Sequence, residues 1–415
     1  MFSSLVNCAW ARGSVLKIAL WWENLEQGGM ETHVSALLNA WPCSDDSFVL
    51  FTNTGNIGLE KVVNQLDKKI NLQVVMLPDS ETLSLSFGLI GARFFLPLMR
   101  RLWRKQCVEV LKKHHAFDIF LVDNGGYPGS IRSLTALAAA KDLGIKKRIL
   151  LIHHSSAKRR ILRTRSERCL DQNTECTITD LISASAATRC SLGIVREFNS
   201  EKYLSHVVHN GIDLVQNVVA DLSIRNQINI QPGELVVGML GRVKPYKGHE
   251  DLLHGVSQLD LELKNRIVIV FVGPVTDFES LRLMRVAHDL QLENRVHILG
   301  YSNLSSFQIV RQFDLLVSAT RDFEAFGLTI AEAMSQRTPV LVTRVGGVIE
   351  LVDEGSGFIV SPKSPTEIAN AVRRFIQEPE YVDLMIGLAF ERVQQFSAST
   401  MAKKIRRVMT SEGAL

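Results

Sequence analysis

With 415 residues, the chain exceeds what one ordinary hydrophobic core organises, so two domains of similar size are expected. An apolar share of 46% and a charged share of 22% describe a globular protein with a large core. The formal charge of +4 permits anionic ligands or an acidic membrane surface, without calling for nucleic acid. The six cysteines form no C-x-x-C pair, which argues for free thiols in a reducing compartment over a disulfide framework or a zinc site.

In chain order, the opening MFSSLVNCAWARGSVLKIALWW has no basic residue before Arg12, and Asn7, Arg12 and Lys17 break its apolar stretch. It reads as a buried first strand behind a loose tail, not as a signal peptide. A Gly-Gly loop then leads into the helical METHVSALLNAW. Further strand-like runs follow: SFVLFT, LQVVML, DIFLVD, KRILLIHH, ECTITD and HVVHNGID. The apolar stretch LSLSFGLIGARFFLPLM is interrupted by Arg93 and Pro97, so no membrane span is expected. After about residue 217 the alternation restarts with ELVVGMLGR, RIVIVFVG, NRVHILGY, DLLVSAT, PVLVTR and GFIVS, most separated by helical periodicity. Short Val/Ile/Leu runs between helices predict parallel sheets covered on both faces.

The expected class is therefore α/β, with two doubly wound Rossmann-like domains facing each other across a cleft. The boundaries read as 1–213 and 214–415, with the last helices as candidates to cross back to the first domain. In such sheets ligands bind at the carboxyl ends of strands, so the residues just after strands carry the chemistry.

Four such places stand out. In RDFEAFGLTIAEAM, residues 321–334, DLLVSAT precedes as a strand and LTIAEAMSQR follows as a helix. The backbone N–H groups of Phe326, Gly327, Leu328 and Thr329 then belong to a helix N-terminus suited to phosphate oxygens. Glu324 in the loop can reach sugar hydroxyls, and Glu332 in the helix can accept from a ribose diol. The bland alternative is two solvated carboxylates. In GMLGRVKPYKGHEDLL, Arg242 and Lys247 flank a Pro-containing turn after a strand, a fork and a point charge suited to a diphosphate. Surface charge is the alternative there. In EQGGMETHV, Gly28 and Gly29 let backbone approach a ligand, though the complete dinucleotide fingerprint is absent. In LLIHHSS, His153 and His154 end a strand and point to opposite faces, so one of the two is expected to be structural. His114 and His115 read as solvated.

Together these elements resemble glycosyltransferase family 4, of the GT-B fold. The resemblance covers essentially the whole chain through GGMETH, VHNGID, GRVKPYKG, NRVHILGY, EAFGLTIAEAM with TPVLVT, and VGGVIELV. It implies that Arg242 and Lys247 bind the donor diphosphate, Glu332 the ribose and Glu324 the transferred sugar. It also puts Gly28 and Gly29 beside the phosphates and His154, or else His153, beside the sugar. Gly346, Gly347 and Glu350 match a further loop near the nucleotide. The family usually has Gly at the positions of Ala325 and Arg337, and FVGPVTDF lacks the usual second glycine. Ala325 is expected to restrict φ at the sugar end of the pocket.

The implied activity is retaining transfer of a sugar from a nucleoside diphosphate donor to a glycan, lipid-linked or small-molecule acceptor, in surface-glycan synthesis. No D-x-D stands at a strand end, so no metal and no other cofactor is expected. The rivals are a phosphorylase or an epimerase of the same architecture, and a non-catalytic sugar-nucleotide or glycan-binding module. One further feature is PLMRRLWRKQCVEVLKKHH, residues 97–115, with Pro97 read as first-turn proline. Met99, Trp103, Cys107 and Val110 fall on one helix face and Arg101, Arg104, Lys105 and Lys112 on the other. With KRRILRTR at 158–165, this basic stripe points to peripheral association of a cytoplasmic protein with an anionic membrane, a solvated face being the alternative.

Overall fold

The structure, a computed structural model, describes residues 15–24, 28–67, 69–77, 91–114, 116–160, 164–214, 218 and 222–411, with side chains from Leu98 onward in the segment that begins at Gly91. The expected loose tail with Cys8, part of the interrupted apolar stretch, His115, and residues 161–163 of the second basic run lie outside the described residues. So do Glu26 and Gln27, and most of residues 215–221.

The chain forms two compact units. The first takes the described residues up to Ser183, then Arg189–Val208 and the described residues from Ala402; the second takes Ala184–Thr188 and the described part of His209–Met401. The boundary expected after residue 213 falls instead after Val208. The reason is local: Ile212 N–H donates to the Phe396 carbonyl at 3.0 Å, and Ala398 N–H donates to the Ile212 carbonyl at 2.8 Å. The start of the C-terminal helix Ala398–Thr410 belongs to the second unit and its remainder to the first, where Arg406 Nε lies 2.7 Å from Asp46 Oδ2.

The first sheet comprises β1 (Lys17–Trp22), β2 (Ser47–Asn53), β3 (Asn71–Leu77), β4 (Ile119–Asn124), β5 (Lys147–Ile152), β6 (Asp180–Ser183) and β7 (Leu204–Val207), in the order β3-β2-β1-β4-β5-β6-β7. The second comprises β8 (Leu235–Leu240), β9 (Ile267–Val272), β10 (Val296–Gly300), β11 (Leu315–Ser318), β12 (Val340–Thr343) and β13 (Phe358–Val360), in the order β10-β9-β8-β11-β12-β13. All pairings are parallel. The tandem doubly wound architecture expected from the alternation is what the chain adopts. Strand β9 shows why: Ile267, Ile269 and Phe271 enter one core, and Val268, Val270 and Val272 the core on the opposite face. Each sheet reverses its order beside its first strand, between β1 and β4 and between β8 and β11. These are the switch points where loops diverge and leave room for a ligand.

Two strands differ from expectation. ECTITD is mostly helix end and loop, because the hydroxyls of Thr174 and Thr177 bond the carbonyls four residues back, Leu170 and Asn173. The strand begins only at Asp180. Of HVVHNGID, only His206 and Val207 belong to β7, which starts earlier at Leu204, and Ile212 makes an isolated bridge to Ser397. Pro97 is also not a first-turn proline. The helix Gly91–Lys112 starts six residues before it, so the carbonyl of Arg93 loses its usual helical donor. On that helix Cys107 and Leu111 are buried, whereas Arg101, Lys105 and Lys112 are exposed.

Arg337 explains one departure from the family pattern. It follows the helix Leu328–Ser335 at φ 60°, the left-handed conformation that usually selects glycine after a helix. Its guanidinium sits over the Phe390 ring, 4.0 Å from the centroid, a cation–π contact that offsets the backbone strain.

Candidate functional site

At the switch point of the second sheet, β8 runs into Gly241 and a half-buried Arg242, then into the turn Pro245–Lys247. Pro245 opens the turn, and Gly248 closes it at φ 76° before the helix His249–Ser257 begins. The turn delivers Lys247 to Glu324, which lies on the loop after β11. Lys247 Nζ and Glu324 Oε2 are 2.6 Å apart, with 27% and 19% of their side chains exposed. Thr320 Oγ1 lies 3.5 Å from the same carboxylate oxygen. The lysine and the glutamate are 77 positions apart in sequence, and adjacent strands bring them together.

A framework of half-buried charge fixes these loops. Arg321 donates from Nε and Nη2 to the two oxygens of Asp251, at 2.8 Å each, while its backbone N–H donates to the Tyr246 carbonyl at 2.7 Å. Glu250 bridges Arg321 and Arg282. None of these four residues stands out in the sequence, although the adjacent Glu250-Asp251 pair at a helix start was a visible signal. Next to Lys247, His249 is buried against Phe271 at a ring separation of 4.8 Å. Burial pushes its pKa down to about 4, with Lys247, Arg282 and Arg321 adding to the effect.

That depression sets a pH dependence. A histidine held neutral in the fold contributes full stability above its unfolded value of about 6.5 and loses it as pH falls toward its folded value. At pH 5 the expected loss from His249 is about 2 kcal/mol. Denaturant unfolding at pH 7 and pH 5 measures it. The drop between the two should shrink by that amount in His249→Gln, and an equal drop in both proteins would assign it to other groups.

Beyond Glu324, the loop is held by glycine contacts. Gly347 N–H donates to the Glu324 carbonyl at 2.8 Å, and a side chain at Gly346 would place its Cβ 2.2 Å from that same oxygen. Phe326 is buried, and Gly327, at φ 91°, caps the helix Leu328–Ser335. The N–H groups of its first turn, including that of Leu328, lie at the mouth of the loop. Glu332, on the second turn, is 3% exposed. It is not a solvated helix residue. Ala325 does not share the strain of Arg337: it is not among the non-glycine residues with positive φ, so its backbone suits any L-residue. Glu350, matched by resemblance to a nucleotide loop, accepts from the N–H groups of Ala186 and Ala187 at 2.9 and 3.0 Å and lies 2.8 Å from His209 Nε2. Burial alone would raise its pKa, but these bonds outweigh it and hold the carboxyl below the usual range.

In the first unit, Gly28 precedes the helix Gly29–Asn39 with no atom within 4 Å of where a Cβ would sit. Its N–H is taken by Glu31, which is itself buried and also accepts from Asn24 Nδ2 at 2.9 Å. Burial raises the Glu31 pKa despite these bonds. The two histidines after β5 separate as their alternation predicts: His153 is buried and His154 is exposed. His153 Nε2 is 2.7 Å from Asp123 Oδ1, and His33 Nε2 is 3.5 Å from Asp123 Oδ2. Among the described residues, this is the one group of His, Cys, Asp and Glu close enough to share an ion; the His153–Asp123 distance is that of a hydrogen bond, whereas His33 lies beyond that range. Burial opposes charge on Asp123, yet the two histidines hold its pKa below the usual range. Asp123 was detectable as an acid at the carboxyl end of the strand-like run DIFLVD; His33, one turn into an ordinary helix, carried no signal.

With this geometry in hand, the relatives are informative. The family model described as glycosyl transferases group 1 matches residues 221–389. An uncharacterized glycosyltransferase of Methanocaldococcus jannaschii is 28% identical over 215 residues, covering 50% of this chain and 54% of the relative. A D-inositol 3-phosphate glycosyltransferase of a Nocardioides species is 28% identical over 225 residues, covering 51% of this chain and 49% of the relative. The chain thus spans about half the length of the curated relatives it matches. Among solved structures, HepE of Anabaena in complex with UDP and glucose superposes with a TM-score of 0.74 at 21% identity, over 96% of this chain and all of that one. A glycosyltransferase of Rickettsia africae gives a TM-score of 0.76 at 17% identity, over 95% of this chain and 98% of that one. On these matches, residues 221–389 are similar to the group 1 glycosyltransferases, and the chain has the GT-B fold.

Proposed function

We propose that the protein is a family 4 glycosyltransferase that moves a sugar, with retention at the anomeric carbon, from a nucleoside diphosphate-sugar to an acceptor hydroxyl. The observation that carries this reading is the contact of Lys247 with Glu324 at the β8/β11 switch point. A cation suited to diphosphate touches a carboxylate suited to a sugar, at the place where such a donor changes from one to the other. HepE, with the same fold, is described in complex with UDP and with UDP-glucose. Bond breaking leaves negative charge on the departing diphosphate. Lys247, with Arg242 beside the same strand end, supplies fixed positive charge for it, so the reading needs no metal. Glu332 takes the ribose, and His154, exposed after β5, is the candidate contact to the sugar.

The reading extends to synthesis of surface or lipid-linked glycan by a cytoplasmic protein at an anionic membrane. Exposed Arg101, Lys105 and Lys112 lie on the same helix as exposed Leu98 and Leu102, the mixture an acidic lipid surface attracts. No helix of the described residues is long and apolar enough to cross a membrane. The test is incubation with a panel of nucleoside diphosphate-sugars, with release of the nucleotide followed and the new linkage read by NMR. Transfer with the donor's anomeric configuration is expected. An inverted product would overturn the mechanism, and release that requires inorganic phosphate would make the protein a phosphorylase.

A further inference from the structure

Two basic segments far apart in sequence converge in the first unit. The helix Gly91–Lys112 brings Arg100, and the loop after β5 brings Lys158 and Arg160, to a cavity of about 140 Å³ that Arg196 also lines. Its apolar wall includes Ile131 and Leu170. Four cations therefore line the cavity with one carboxylate, Glu167, which is already engaged, and Arg196 alone among the four also reaches Asp171, at 3.7 Å. Glu167 Oε2 accepts from Arg196 Nη1 at 2.8 Å and from the Arg160 backbone N–H at 3.4 Å.

Arg196 is 1% exposed, an unusual position for a guanidinium. Its Nε donates to the Ala157 carbonyl at 2.6 Å, but its Nη2 is buried without an acceptor. The Nε of Arg100, on a different element, is likewise buried without an acceptor. Their neighbours are neutralised in the ordinary way. Arg104, one turn on from Arg100, pairs with Asp142, and Arg159 pairs with Asp171 at 2.9 Å and Glu197 at 2.8 Å. A buried donor left without an acceptor is costly, and two around one small cavity are matched by an anion with several oxygens. The cavity is bordered by Pro128 and Ala157, on the loops that follow β4 and β5, the edge of a parallel sheet where ligands bind.

We propose that this cavity binds a phosphate group carried by the acceptor. That the phosphate's carrier is an acceptor rests on the glycosyltransferase reading, but the anion site stands on its own residues. The phosphate belongs either to a soluble phosphorylated acceptor or to a lipid headgroup, and the two sources share the same recognition chemistry.

The experiment uses the full chain and three probes: glycerol 1-phosphate, vesicles of phosphatidylcholine with phosphatidic acid, and vesicles of phosphatidylcholine alone. Binding of a nucleoside diphosphate is measured on the same samples. Wild type should bind glycerol 1-phosphate or the phosphatidic acid vesicles. Arg100→Gln should weaken that binding roughly ten- to hundred-fold while leaving nucleotide binding unchanged. Arg160→Gln, at an exposed position, is the second variant should Arg100→Gln fail to fold, and the same direction is expected. Loss confined to the soluble probe assigns a soluble acceptor, and loss confined to the acidic vesicles assigns a lipid one; both support the site. Equal binding of both probes by wild type and variants, or none by wild type, overturns it. Intact nucleotide binding with no phosphate binding leaves the glycosyltransferase reading standing, and the reverse result leaves only the anion site.

Discussion

Glu324→Gln should lower the transfer rate by roughly 10²–10³-fold while leaving the affinity for bare nucleoside diphosphate unchanged or slightly improved. The carboxylate serves the sugar, where charge develops as the glycosidic bond breaks, and a bare nucleotide has no sugar to lose. The ion pair sharpens the expectation. Glu324 holds Lys247 at 2.6 Å in the unliganded site, so the isosteric amide removes a competitor for the lysine without removing the lysine. Because both side chains are partly exposed, the pair itself stabilises the fold by no more than about 1 kcal/mol, so the variant should fold normally. Lys247→Ala should behave oppositely, weakening nucleotide binding by about 10- to 100-fold through loss of a charged hydrogen bond. Arg242→Ala should follow Lys247→Ala, and Glu332→Ala should lie between, through the ribose. Calorimetric titration of nucleoside diphosphate, set beside the transfer rate of each variant, decides the matter. If Glu324→Gln abolished nucleotide binding and Arg242→Ala left it intact, the donor would not lie along this loop as proposed.

The parts of this site that were legible in the sequence are those with a local cause. IVIVFV between two helical stretches has one structural solution, a strand buried on both faces, and β9 is that strand. RDFEAFG between a strand and a helix had to be a loop at the ligand edge, and the order of β8 and β11 turned that position into a contact with Lys247. What the sequence did not disclose depends on distant partners. Arg196 looks like one more surface cation in IVREF, and only the fold buries it against Ala157 and Glu167. His33 lies in a helix of ordinary pattern, and its pairing with Asp123 requires β4 to sit beside β1. ECTITD has the β-branched composition of a strand, but threonine hydroxyls bonding back to carbonyls serve a helix end equally well. Arg337 is the same lesson at one residue. Its left-handed backbone is ordinary for glycine and tolerable for arginine only because Phe390, far along the chain, receives its guanidinium.

Gly248→Ala should be the most damaging single methyl group that can be added near the site. At φ 76° an alanine bears the left-handed penalty of about 1 kcal/mol, since its Cβ crowds its own carbonyl. That alone is moderate. Steric overlap costs more, because the new Cβ would lie 2.0 Å from the Ala319 carbonyl oxygen. That oxygen belongs to the backbone, so no rotamer change relieves the overlap. One of two segments must move: the turn that carries Lys247, or the end of β11 that leads to Glu324. Either movement separates the lysine from the glutamate, so the damage should appear twice. Stability should fall by about 3 kcal/mol or more, the range reached when backbone strain and overpacking combine. Nucleotide affinity should fall together with it, although no charged group has been altered. Gly233→Ala separates strain from collision, for Gly233 has φ 88° and no atom within 4 Å of its would-be Cβ. It carries the strain alone and should cost about 1 kcal/mol with nucleotide affinity untouched. Denaturant unfolding and calorimetric titration of both variants provide the comparison. A Gly248→Ala protein no less stable than Gly233→Ala, with full nucleotide affinity, would mean that the close approach of the β8 turn to β11 does not hold Lys247 in place.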